Sequence, residues 1–420
     1  MTQPHIPPPR IDLATLPPLL TTGEPHSFAY YTLAERDPRI LQEMEEAPYF
    51  SPDLKRAFKK FRAEIADGVI QPLREDAPDA DVWRQISKPY IGRSWLDVPW
   101  FWAETFFYRR ILEIVGYFQM GAWHERDPFA ALKDAELKPD AAPQRVAALL
   151  AACSSTADDF ETFELLLYAA LWGNRVDLSY NVERTVGRAE RLQDERANLL
   201  ADDAARVWEF LRARAIRQLV YVTDNAGTEL ACDLALIESL LHARRVEKIV
   251  MHLKPQPYYV SDALPQDVER TLRAFQTANA ETRALAQRLR ALQSTGRLEL
   301  RTHWFYPLPL HYFEMPDDLF EQFRAADFVI LKGDVNYRRV VGDAHWKATM
   351  SFEYPTRYFP APLLCLRTLK SDVIVGLRAA QVDALNHADP AWRVNGKRGV
   401  AQANLNVGTL KRWNVETLKR

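Results

Sequence analysis

After Arg214 the chain changes its hydrophobic rhythm, and that change constrains the fold more than any other feature. Short β-branched and aliphatic runs near 217–222, 246–252, 297–304, 327–331 and 362–367 alternate with helical stretches near 227–243, 265–293 and 316–325. Strand and helix alternating in this way require right-handed crossovers, and hence a mostly parallel sheet covered on both faces. The expected fold class is α/β, with a three-layer α/β/α domain over 214–405. Residues 396–405 are expected to add an edge strand before a polar C-terminal tail, 406–420.

The first half reads differently. Ser51-Pro52 supplies an N-cap and a first-turn proline, and Leu54, Phe58, Phe61 and Ile65 then follow on one helical stripe. Residues 99–118 are apolar on nearly every face, which implies a helix surrounded by protein and obliges Glu104, Arg109, Arg110 and Glu113 to find partners or water. Further helices are expected near 143–153, 158–172 and 188–213. Residues 28–213 are thus expected to form an all-helical domain ahead of the sheet, and the proline-rich residues 1–27 an extended arm, on the surface or partly disordered.

Composition narrows the function. At 420 residues and 47% hydrophobic, the chain buries a substantial core. A net charge of -2 argues against a nucleic-acid coat or a polybasic membrane surface, since either needs a concentrated positive field. Cys153, Cys232 and Cys365 lie far apart, two of them in apolar runs, and read as buried thiols of a reducing compartment. No apolar stretch is long enough to span a bilayer, and Met1 to Pro9 lacks the regions of a signal peptide, so a cytoplasmic location is expected.

The chemistry gathers where the expected strands end. Asp224-Asn225-Ala226-Gly227-Thr228-Glu229 lies between a strand and a helix, with backbone N–H groups that can face a ligand; capping alone explains Asp and Asn there equally well. The next strand runs into a loop from His252 to Asp262 that Pro255 and Pro257 keep irregular, and Asp262 is either a helix cap or a second acid at the same sheet edge. A third strand leads into Lys332-Gly333-Asp334-Val335-Asn336-Tyr337-Arg338-Arg339, and a fourth into Arg367-Thr368-Leu369-Lys370. In an open α/β sheet, ligands bind outside the carboxyl ends of the strands. Oxygen donors suit Mg²⁺ or Mn²⁺, and the forked Arg and mobile Lys charges suit phosphate, so the site reads as metal plus phosphate.

In this order the motifs resemble the metal-dependent damage-control phosphatases, specifically the subfamily that acts on sugar phosphates and has also been described as a protein-glutamate carboxyl methyltransferase. The family's Asp-Asn-x-Gly-x-Glu element is met by Asp224 to Glu229, its Lys-Pro-x-Pro-x-x-x-Ser-Asp loop by Lys254 to Asp262, its Lys-Gly-Asp-x-Asn-Tyr-Arg by Lys332 to Arg338, and its Arg-Thr-x-Lys by Arg367 to Lys370. The likeness extends to Pro99-Trp100-Phe101, Glu104, Tyr108-Arg109-Arg110 and Leu171 to Ser179, and Val335 stands where Leu is commoner.

The resemblance implies a divalent metal, Mg²⁺, Mn²⁺, Co²⁺ or Ni²⁺, held by Asp224, Asn225 and Asp262. It implies substrate contacts from Asp334, Val335, Asn336, Tyr337, Arg338 and Lys370, with Arg367 beside them. Glu229 matches a position assigned to the methyl donor, and one turn into a helix it equally supports the ligands from behind. The expected activity is metal-dependent hydrolysis of a small sugar phosphate such as fructose 1-phosphate or fructose 6-phosphate. Lys370, with Arg338 or Arg367, would neutralise phosphoryl oxygens, and Asp334 would orient the attacking water or protonate the leaving oxygen; Asp224 as a covalent nucleophile is the alternative. Glu104, Asn174 and Asp177 would close the pocket around the sugar, although Asn174 and Asp177 equally suit capping a helix end. An S-adenosylmethionine-dependent glutamate methyltransferase and a non-catalytic sugar-phosphate sensor are the other two readings.

Overall fold

The computed structural model describes residues 7–74, 76–154, 159–173 and 195–406; Asn174, Asp177 and nearly all of the expected tail lie outside them. Seven strands form one sheet: β1 (Leu199–Asp202), β2 (Ile216–Val222), β3 (Val246–Leu253), β4 (Leu298–Thr302), β5 (Phe328–Lys332), β6 (Leu363–Thr368) and β7 (Gly399–Asn404). Their order is β1-β7-β6-β5-β2-β3-β4, and every pairing is parallel except β6 with β7.

The period-two alternation of the strands explains the layers. Val220 and Val222 of β2 point into a core shared with the Trp100–Val115 helix, whereas Leu219 and Tyr221 point into a second core with the Asp159–Trp172 and Thr228–His242 helices. Buried on both faces, these strands are nearly continuous apolar runs, as parallel strands must be. The charges on the buried Trp100–Val115 helix do find partners: Arg109 forks onto Asp79 with two bonds of 2.8 Å, and Arg110 reaches Glu113 at 3.1 Å.

Three local expectations are corrected. The helix expected over 188–213 gives way, within the described residues, to strand β1 and a shorter helix, Ala204–Arg212; Asp203 ties this edge to β7 by accepting from the Ala403 N–H at 2.8 Å. The helix expected over 265–293 is two, Pro265–Ala278 and Ala280–Ser294, because Asn279 turns extended and caps the second through Thr282 N–H at 2.9 Å. Residues 399–404 form a strand, but β7 is not an edge: β1 covers its outer side. In the proline-rich start, Leu20 N–H binds the Asp343 carbonyl at 3.0 Å, which lays that part of the arm on the body.

Candidate functional site

Strand β2 sits between β3 and β5, where the chain's course across the sheet reverses, so the loops after these strands open a crevice at their carboxyl ends. Two of those loops are clasped together. Asn225 and Asp262 form an isolated antiparallel bridge, flanked by Ala226 N–H to the Ser261 carbonyl at 2.6 Å and Ala263 N–H to the Asp224 carbonyl at 2.8 Å. Residues far apart in sequence thereby present Asp224, Asn225 and Asp262 to one cavity, which Glu229, Gly333, Asp334 and Lys370 also line.

The bonding around Asn225 fixes its amide. Its nitrogen donates to Asp224 Oδ2 and Glu229 Oε2, both at 2.9 Å, and its oxygen accepts from the Ser261 hydroxyl at 2.5 Å. Two buried lysines balance the acids: Lys254 pairs with Asp262 at 2.9 Å, and Lys332 with Glu229 at 2.7 Å. That compensation is incomplete at Asp224. Burial, and then the charges of Glu229 and Asp262, push its carboxyl well above the usual range, and burial raises Asp262 despite Lys254.

The segment after β5 is a buried helix, Gly333–Val341, and not an open loop. Its period sorts the residues expected at the site. Asp334, Val335 and Arg338 line the cavity, while Asn336 bonds the Thr223 and Lys332 carbonyls and Tyr337 donates to Gln402 at 2.9 Å. Asn336 and Tyr337 therefore stand behind the wall. Gly333 is needed at its start: with φ at +88°, a Cβ there would fall 2.0 Å from Asp224 Cγ.

Arg367 also stands behind the cavity lining, gripping Asp334 Oδ1 at 2.7 Å, and the Ser371 hydroxyl adds a bond of 2.9 Å to the same oxygen. Burial works against the Asp334 carboxylate, but Arg367 and Arg338 outweigh it and hold the group below its usual range. Arg338 is itself spent on Asp343 at 2.7 Å and Glu104 at 2.9 Å. Lys370, by contrast, is exposed, and its ammonium is open to a guest.

Sequence reasoning missed three groups. Arg36 and Tyr259 reach Glu104 in the cavity wall, at 3.2 and 2.8 Å, through tertiary returns that leave no local signal. Glu136 accepts from Thr228 N–H at 2.9 Å, so the helix N-terminus expected to face a ligand has a carboxylate of the chain there. Among the described residues no group of three or more His, Cys, Asp and Glu side chains is arranged to hold a metal; the candidate set is two acids and an amide. No helix among them is long and apolar enough to cross a membrane.

The family model of the damage-control phosphatase ARMT1-like domain matches residues 32–385. Damage-control phosphatase ARMT1 of Danio rerio is 30% identical, over 90% of this chain and 94% of that protein. Its counterpart from Homo sapiens is 27% identical over 93% and 99%. A crystal structure of a DUF89 family protein from Pyrococcus horikoshii is similar at 17% identity and a TM-score of 0.48, covering 90% of this chain and 97% of that one. The match spans most of the chain and nearly the full length of these vertebrate relatives: the chain belongs to the damage-control phosphatases, in the family of the ARMT1-like domain.

Proposed function

We propose that this chain hydrolyses a small phosphorylated sugar, with fructose 1-phosphate and fructose 6-phosphate as first candidates, and that Asp224, Asn225 and Asp262 hold the divalent metal it needs: Mg²⁺, Mn²⁺, Co²⁺ or Ni²⁺. The observation that carries this is the clasp between the loops after β2 and β3, which buries Asp224 against Glu229 and Asp262 with too little positive charge to balance it. Burying like charges is costly unless a cation or a proton intervenes, and an all-oxygen set fits a hard divalent ion. When bound, such an ion supplies charge neutralisation at a phosphoryl oxygen and a more acidic water.

The chain's own residues divide the remaining work. Lys370 is an exposed cation at the cavity with no ion pair among the described residues, so it takes the phosphoryl oxygens, while Arg367 acts from behind by orienting Asp334. Held ionised, Asp334 suits orienting a water better than protonating a leaving group. Glu229 and Ser261 fix the Asn225 amide, which supports a positioning role for Glu229 over a methyl-donor contact. The reading is tested on one preparation by screening sugar phosphates for released phosphate and titrating S-adenosylmethionine by calorimetry. Phosphate release with no donor binding is expected; micromolar donor binding with a silent screen would make the chain a methyltransferase instead.

A further inference from the structure

Arg36 owes its place to a backbone irregularity. The α-helical turn Phe28–Tyr31 and the helix Asp37–Glu46 are joined by a π turn, Thr32–Arg36, closed by Asp37 N–H on the Thr32 carbonyl. The inserted residue turns the helix face, and such turns cluster at functional sites because regular helix is otherwise preferred. Here it delivers Arg36 to the cavity wall, with its side chain 43% exposed and one nitrogen on Glu104 at 3.2 Å. Among the described residues its Nε and Nη2 make no hydrogen bond.

The surroundings of Arg36 indicate what those donors meet. Glu104 also accepts from Tyr259 and Arg338, and Arg338 pairs with Asp343, so the run Arg36, Glu104, Arg338, Asp343 carries no net charge. A second anion gains little there, whereas a hydroxylated group finds a forked donor and a carboxylate acceptor. Behind Arg36, and not lining the cavity, the Asp37 carboxyl and the Tyr108 hydroxyl are buried without a hydrogen-bond partner among the described residues.

We propose that Arg36 is a specificity-determining residue that donates to hydroxyls of the substrate's sugar while Lys370 takes its phosphate. The inference rests on the phosphatase reading. The test measures kcat/KM for the best-turned-over sugar phosphate of a ketose and aldose panel, and for p-nitrophenyl phosphate, which has no sugar hydroxyls. In Arg36→Ala the ratio of the two should fall tenfold or more, with most of the loss in the sugar phosphate's KM. Arg36→Lys keeps the charge beside Glu104 but not the fork, so its ratio should fall at least threefold with the thermal midpoint close to wild type; it decides the matter if the alanine variant unfolds. A ratio within twofold of wild type in the folded variants overturns the role of Arg36 alone. A wild type that releases phosphate from neither substrate overturns the phosphatase reading, and this inference with it.

Discussion

Gly333→Ala probes the site through its backbone. The added methyl meets two obstacles: φ at +88°, and the Asp224 carboxyl 2.0 Å from the new Cβ. A left-handed backbone costs an L residue about 1–2 kcal/mol, and driving a buried carboxyl off its amide partner about 1–3 kcal/mol, for roughly 2–5 kcal/mol in all. Unfolding entropy of about 2.1 cal/mol/K per residue across 420 residues turns this into a midpoint lowered by roughly 2–6 °C. Gly396→Ala is the control, since Gly396 has φ at +73° and a methyl added there meets nothing within 4 Å. It should show the strain alone. Scanning calorimetry reads stability, and Mn²⁺ titration reads the site: Gly333→Ala should weaken Mn²⁺ binding at least about tenfold, the loss expected from one displaced charge-assisted ligand, and Gly396→Ala should not. Unchanged Mn²⁺ affinity and turnover in Gly333→Ala would refute the placement of Asp224 at the reacting centre.

Lys370→Ala should weaken inhibition by inorganic phosphate by roughly tenfold to a hundredfold, the worth of one charge-assisted contact, and leave Mn²⁺ affinity nearly unchanged; an unaltered inhibition constant would remove Lys370 from the phosphate. Asp79→Ala strips the buried Arg109 of its forked partner and Trp83 of its acceptor. It should cost about 3–5 kcal/mol in denaturant unfolding, and a loss below about 1 kcal/mol would show the pair to be dispensable. Burial, then Arg301 and His303, push His252 down to about 3, so it is neutral when folded. Its contribution is fully present above the unfolded value of about 6.5 and is lost as pH falls toward 3. His252→Asn should therefore flatten the acid limb of stability between those pH values, and a limb of unchanged slope would assign acid unfolding to other groups.

The α/β architecture was legible because strands buried on both faces are unbroken apolar runs, as in Leu219 to Val222 and Phe328 to Leu331. What escaped was set by distant residues. Strand β1 is four residues long and exists through its pairing with β7, far along the chain, so no local pattern announces it. The break at Asn279 hides in a helical periodicity that continues on both sides. At the site, sequence order brought out Asp224, Asn225, Asp262, Asp334 and Lys370, because polar residues directly after core strands have only the sheet edge to occupy. It did not separate Asp334 and Arg338 from Asn336 and Tyr337, since that sorting depends on the segment being helical. Arg36 and Glu136 come from elements far away in the chain, and only the packed structure identifies their partners.

Everything proposed for the site turns on whether hydrolysis depends on a divalent ion held at the clasp of Asn225 and Asp262. Phosphate release from a ketose phosphate answers this when it is followed in protein stripped with chelator, verified free of metal, and then titrated with Mg²⁺, Mn²⁺, Co²⁺ or Ni²⁺. The stripped protein should show no turnover, with saturable recovery as metal is restored, because water near neutral pH is otherwise too weakly acidic to attack. Full turnover in excess chelator would contradict the assignment of a metal to this clasp.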